Sequence, residues 1–190
     1  KEALALAANP QPVMLVAGVA AWRVWLAEGG ALPAALAGHS LGEYSALVAS
    51  GVLTLAQAAP LVRLRAADMQ EAVPVGTGAM AAILGMSADK VIAGCAEATA
   101  SFGPGSADVV EAVNFNDPAQ TVIAGTKAGV EKACEMLKAA GAKRALPLPV
   151  SAPFHSSLMK PAAEKLREAL AGTVLAAPQI PVVNNVDVAV

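Results

Sequence analysis

The sequence predicts an α/β fold in which a parallel-sheet core is interrupted by a smaller subdomain, and three observations carry that expectation. Ala34-Ala35-Leu36-Ala37 reads as a short buried strand and leads through Gly38-His39-Ser40-Leu41-Gly42 into the helix-like run Glu43-Tyr44-Ser45-Ala46-Leu47-Val48-Ala49. From about Gly78 to Leu148 the patterning follows the order β-α-β-β-α-β. Near the end, Val182-Val183-Asn184-Asn185-Val186 is strand-like again, as if the first domain resumes. With 56% hydrophobic and 15% charged residues, the 190-residue chain can bury a large core and does not have the composition of a disordered segment. A formal net charge of −2 leaves no broad basic surface for nucleic acid.

The first element predicted is a helix over 9–28, with Asn9 as its cap, Pro10 and Pro12 in its first turn, and Gly29-Gly30 at its end. Its run Val13 to Trp22 is the longest uninterrupted apolar stretch, and Arg23 ends it far short of a membrane span. Apolar nearly all round, it reads as a buried helix. Strand 34–37, the serine turn, helix 41–50 and Gly51 follow. Thr54-Leu55-Ala56-Gln57 has capping-box form and opens a helix to about Ala72, in which Pro60 is expected to make a kink or delay the start.

The subdomain is built from strand 79–84, a helix over 88–100 capped by Ser87, and strand 109–115. Asn116-Asp117-Pro118 signals a turn before strand 120–124. Thr126 caps a helix to Ala140 that places Val130, Ala133, Cys134 and Leu137 on one face, and Gly141 ends it before strand 143–148. This is the ferredoxin-like order. It divides the chain into a discontinuous, hydrolase-like core of 1–76 and 147–190 and an inserted subdomain of 77–146, with helix 158–171 and strand 181–186 completing the core. Cys95 and Cys134 lack metal or redox spacing and read as small core residues of a protein from a reducing compartment, here the cytoplasm. Lys1 is not a methionine and the chain stops soon after a strand, so a piece of a longer protein is expected.

The G-x-S-x-G turn carries the chemistry. Its glycines permit a sharp turn, the serine oxygen is held in the open, and backbone N–H groups at the helix start can meet a developing oxyanion. The bland alternative is a glycine-rich turn without chemistry; the flanking strand and the stop at Gly51 favour a nucleophilic Ser40. A serine needs an adjacent base, and only His39 and His155 exist. His39 adjoins Ser40 and is expected to point away from it as a structural residue. His155, in a loop before a helix where the core resumes, is the favoured base. No acid between the two has the strand-end setting of a hydrolase triad. Arg63 and Arg65 lie on different faces of an otherwise apolar helix. A snorkelling arginine is the plain reading of either and an anion-binding arginine the functional one, and spacing does not choose between them.

Gly38 to Leu47, Arg63-Leu64-Arg65, Met69 to Pro74, Gly76 to Ala82, Val113 to Asn116, Pro153-Phe154-His155-Ser156 and Pro181 to Val186 together resemble the malonyl-CoA:acyl carrier protein transacylases of bacterial type II fatty acid synthesis. The likeness covers the whole chain. It implies transfer of a malonyl group from malonyl-CoA to the pantetheine thiol of acyl carrier protein. In that scheme Ser40 is acylated, His155 is base and acid, Arg65 holds the malonyl carboxylate, and the Leu41 N–H supplies half of the oxyanion hole. Phe154 would narrow the pocket; in related polyketide acyltransferases a phenylalanine at this place accompanies malonyl selection. The resemblance further implies a CoA thioester as substrate, no bound cofactor or metal, and a monomer acting away from membranes and nucleic acid. The family's Gly-Gln-Gly loop with the second oxyanion donor would precede Lys1, and the segment that fixes the histidine would follow Val190. Two other classes compete: a serine esterase or thioesterase, which needs an acid and an open site, and a non-catalytic acyl-carrier-binding domain.

Overall fold

A computed structural model describes residues 10–150 and 152–190, so the expected cap Asn9 and the loop residue Ser151 lie outside the described residues. Among the described residues the fold is mixed α/β, with one parallel and one antiparallel sheet. The chain divides into two compact units, 1–68 with 164–190 and 69–163. These boundaries fall earlier and later than the 76/77 and 146/147 expected from the sequence. The reason is an apolar cluster of Met69, Met159 and Ala162 with Ala72, Val73 and Phe154, which ties residues on both sides of the antiparallel sheet to the second unit.

The first unit contains helix α1 (Pro10–Ala27), strand β1 (Leu36–Ala37), helix α2 (Gly42–Ala49) and most of helix α3 (Leu55–Glu71). At its C-terminal end lies β6 (Val182–Val183), paired parallel to β1 with Leu36 opposite Val182 and Ala37 opposite Val183. Both strands are shorter than expected, because the ladder between them is only two residue pairs long. Helix ends follow the glycine signals. Gly30 N–H bonds Trp25 O at 2.8 Å and Gly29, at φ 79°, bonds Leu26 O at 3.1 Å, a Schellman pair. Gly51, at φ 83°, closes α2 in the same way. The Thr54–Gln57 box is reciprocal: Thr54 N–H donates to Gln57 Oε1 at 2.9 Å and Gln57 N–H to Thr54 Oγ1 at 3.2 Å. Helix α3 therefore starts at Leu55, and Pro60 lies inside it without delaying that start.

The core of this unit gathers Leu15 and Val19 of α1, Leu41 and Tyr44, and Leu53, Ala58, Leu61 and Val62. The expectation that α1 is buried is corrected. Only Leu15 and Val19 are buried, while Val13, Met14, Val16, Val24, Trp25 and Leu26 are exposed among the described residues. Gly18 sits against Ser45 of α2, where an added Cβ would lie 3.1 Å from its hydroxyl. A helix apolar all round carries no directional signal in its sequence, so one closely packed face and an open remainder were not distinguishable from full burial.

The second unit holds β2 (Gly78–Leu84), α4 (Ala88–Ala100), β3 (Val110–Asp117), β4 (Gln120–Thr126), α5 (Lys127–Ala139) and β5 (Arg144–Pro147). Its sheet order is β3-β4-β2-β5, antiparallel throughout. One face, with Ala81, Ile83 and Ile123, packs on Val91, Cys95 and Ala98 of α4 and Val130, Ala133 and Leu137 of α5. The other carries Met80, Val122 and Ala124 against Leu148 and Phe154. Alternation along β2 and β4 thus gives both faces an apolar partner. Thr126 caps α5 by accepting from Gly129 N–H at 3.2 Å. Ser87 occupies the cap position of α4 but makes no side-chain cap bond; its carbonyl accepts from Val91 N–H instead. β3 runs to Asp117, so the turn is Pro118-Ala119, pinned by Ala119 N–H on Asp117 Oδ1 at 2.9 Å. A 3₁₀ turn (Ser157–Met159) leads into helix α6 (Lys160–Ala171).

Candidate active site

Ser40 follows the carboxyl end of β1, and Asn185 follows that of the parallel β6, the place where open α/β sheets put functional groups. Gly38 is required by crowding rather than by its own dihedral: a Cβ there would stand 2.0 Å from the Gly42 carbonyl. Ser40 lies at φ 51° in the left-handed region, which costs a non-glycine residue about 1–2 kcal/mol. The turn is closed by Gly42 N–H to His39 O at 2.8 Å, Glu43 N–H to Ser40 O at 3.2 Å and Tyr44 N–H to Leu41 O at 3.0 Å. Strain held by such a lattice of bonds is characteristic of functional turns.

Arg65, not Arg63, reaches this turn. Its Nη2 donates to Ser40 Oγ at 2.9 Å, and its Nη1 donates to Gln11 Oε1. Arg63 is exposed. Burial pushes the Arg65 guanidinium down from its ordinary value, while Tyr44 and Glu43 oppose that shift. The same burial raises the Tyr44 phenol, with Arg65 pulling it down and Glu43 pushing it up. A half-buried cation thus stands in contact with the Ser40 hydroxyl oxygen. That arrangement suits an anionic group bound beside the Ser40 hydroxyl.

Asn185 clamps the turn. Its Oδ1 accepts from Ser40 N–H at 3.1 Å, and its Nδ2 donates to Gly38 O at 2.7 Å and to the Glu43 carboxylate. Its own N–H donates to Glu43 Oε2 at 2.9 Å. The Ser40 amide is therefore occupied. Leu41, at the start of α2, has no backbone N–H bond among the described residues, which leaves that amide open to a ligand oxygen. His39 is exposed, and its carbonyl accepts from Gly42 N–H in the turn.

His155 and Phe154 belong to the second unit. His155 is at φ 66°, one of three non-glycine residues with positive φ among the described residues, with Ser40 and Val188. Its loop is tied down on both sides. Pro153 lies on Gly78 of β2 so closely that a Cβ there would be 2.3 Å from its ring, and Ser156 Oγ donates to Pro153 O at 2.7 Å. Ser157 N–H donates to the Glu111 carboxylate at 2.5 Å. Phe154 packs into two apolar clusters, one with Met159 and one with Met80 of β2. His155 itself is exposed.

Ser40, Leu41 and Arg65 are thus brought together in the first unit, with Gln11 and Asn185, which sequence reasoning did not assign. Gln11 sits between two prolines in a first helical turn and looks solvated. Asn185 had a usable signal: paired asparagines directly after a short β-branched strand. Among the described residues no cluster of metal-ligating side chains occurs, and no helix is long and apolar enough to cross a membrane.

A family model described as "Acyl transferase domain" matches residues 4–189. The chain is 56% identical over 178 residues to the malonyl CoA-acyl carrier protein transacylase of Salmonella typhimurium, covering 94% of this chain and 56% of that protein. It is 57% identical to the corresponding protein of Escherichia coli strain K12, with the same coverage. Among solved structures, an acyl-carrier-protein S-malonyltransferase from Burkholderia pseudomallei 1710b superposes with a TM-score of 0.93 at 65% identity, over 98% of this chain and 59% of that one. A malonyl-transacylase in complex with its type II PKS acyl-carrier protein superposes with a TM-score of 0.94 at 53% identity, over 100% of this chain and 59% of that one. The chain spans a little over half the length of the curated relatives it matches.

Proposed function

The chain belongs to the acyl transferase domain family, and from that premise we propose that it is the Ser40-bearing part of an acyl-carrier-protein S-malonyltransferase. The observation that carries this reading is the Arg65 guanidinium 2.9 Å from Ser40 Oγ. A malonyl thioester has a carboxylate two bonds from the carbonyl carbon that serine attacks. A cation touching the nucleophile therefore lies within reach of that carboxylate when the carbonyl is at Oγ. The planar arginine fork fits a carboxylate better than a lysine would.

In the proposed reaction His155 removes the Ser40 proton as Oγ attacks malonyl-CoA. The tetrahedral oxyanion is met by the Leu41 N–H, the CoA thiolate leaves with that proton, and malonyl-Ser40 remains. The pantetheine thiol of acyl carrier protein then gives its proton to His155 and attacks the ester, which returns Ser40 and yields malonyl-carrier. Phe154 forms a wall of the acyl pocket. The CoA thioester enters as substrate, and the steps call on no metal or bound cofactor. The carrier partner is supported by the similar malonyl-transacylase whose structure holds its acyl-carrier protein. In this reading the units of the fold are a hydrolase-like core and a ferredoxin-like subdomain, and the protein works as a cytoplasmic monomer.

Mixing the full-length protein with malonyl-CoA and reading intact mass tests the proposal. One malonyl adduct is expected, mapped to Ser40, absent in Ser40→Ala, and stable until a thiol acceptor is added. An adduct that persists in Ser40→Ala, or rapid hydrolysis without acceptor, would replace the transferase with another acyl enzyme.

A further inference from the structure

We propose that Asn185 is a positioning residue for the nucleophile: its carboxamide bridges Gly38, Ser40 and Glu43 and holds the left-handed Ser40 turn in register. The inference rests on the acyl-serine reading above. Gly38 ends the approach from β1, Glu43 lies in the first turn of α2, and Ser40 sits between them. One planar group contacts all three, accepting from Ser40 N–H at 3.1 Å and donating to Gly38 O at 2.7 Å and to the Glu43 carboxylate. The orientation of the amide is dictated by its partners. Turned over, its NH₂ would face the Ser40 N–H and its oxygen would face a carbonyl and a carboxylate.

The segment that carries Asn185 is itself fixed. Pairing of β6 with β1 sets its start, and Asn184 folds the following residues back through bonds from Val186 N–H and Asp187 N–H to its Oδ1 at 2.9 and 2.7 Å. Asn184 also donates from Nδ2 to Ala189 O at 2.9 Å. Two adjacent asparagines thus divide the work, one shaping its own loop and the other the elbow.

Only a side chain with a donor and an acceptor in one plane can do this. Aspartate would keep the acceptor for Ser40, lose both donations, and set a second carboxylate against Glu43. Because Asn185 is exposed, water can replace its bonds when it is truncated. Stability should then change little while the Ser40 geometry loosens. Misplacement of a reacting group by an ångström can cost about 100-fold in rate.

The experiment measures single-turnover acylation of Ser40 by malonyl-CoA in the full-length protein, beside labelling by a fluorophosphonate, which reports Ser40 whatever the acyl substrate is. Asn185→Ala should slow both by about 10–100-fold with little change in the malonyl-CoA concentration for half-maximal rate. Asn185→Asp should be slower still, and adding Glu43→Gln should recover about tenfold or more, since the glutamine NH₂ can donate to the new carboxylate. Wild-type rates in a folded Asn185→Ala, or no recovery in Asn185→Asp/Glu43→Gln, would overturn the proposal. If Asn185→Ala does not fold, the recovery arm decides alone. A wild-type protein that reacts with the fluorophosphonate but takes no malonyl would defeat the transferase reading and leave the Asn185 comparison intact.

Discussion

Replacing Arg65 separates a malonyl transferase from a generic acyl-serine enzyme. The guanidinium is half-buried and contacts Ser40 Oγ and Gln11. Truncating one partner of a buried charge pair costs about 2–5 kcal/mol. Partial exposure places Arg65→Ala in the lower part of that range, about 2–3 kcal/mol. At 1.4 kcal/mol per tenfold, kcat/KM for malonyl-CoA should fall about 30–150-fold. The contact with Ser40 Oγ adds a loss that acetyl-CoA shares, because it acts on the nucleophile and not on the acyl group. That shared loss cancels in the malonyl/acetyl ratio, so the ratio is the quantity to measure. It should drop by about the full 30–150-fold in Arg65→Ala. Arg65→Lys should recover part of it, since a point charge returns without the fork. Arg63→Ala, on an exposed arginine, should leave the ratio near its starting value. Equal losses for the two acyl-CoAs would make Arg65 a support for the turn and remove the physical argument for a carboxylate-bearing substrate.

Local signals in the sequence located the ends of elements well, and tertiary partners were the part it could not show. The Thr54–Gln57 box, the Thr126 cap, and the glycines at 29, 51 and 141 each act through bonds within a few residues, so residue type alone reveals them. The Ser87 hydroxyl is the exception, since a serine before a helix has several ways to satisfy its neighbours. The Ser40 turn was legible because crowding at Gly38 and the strand–helix setting leave few alternatives. Choosing Arg65 over Arg63 by periodicity was not, because the choice depends on which helix face meets β1's carboxyl end. Asn185 is further from reach. It lies 145 positions from the amide it accepts from, and only the β1–β6 pairing brings them together. For the same reason α1 misled: its sequence is apolar on every side, and what covers each side is decided elsewhere in the chain.

The remaining predictions concern thiols and histidines. Cys95 is buried and free, and burial first, then Cys134 and Glu111, pushes its thiol up to about 12. A raised thiol value means less thiolate at a given pH, about one part in ten thousand at pH 8. Iodoacetamide should therefore leave Cys95 unmodified in the native protein and label it in urea, as read by mass; rapid native labelling would contradict its place in the core. The histidines give the sharper result. His155 is exposed, held at positive φ by a loop anchored on Pro153 and Ser156, whereas His39 is exposed beside Ser40 and its carbonyl accepts from Gly42 N–H. If His155 moves the proton, His155→Ala should cut transfer about 10²–10⁴-fold while the melting temperature stays close to that of the parent. His39→Ala, at a surface position, should change stability by no more than about 0.5 kcal/mol and transfer by a small factor. A folded His39→Ala protein that loses transfer, beside a His155→Ala protein that keeps it, would exchange the two roles.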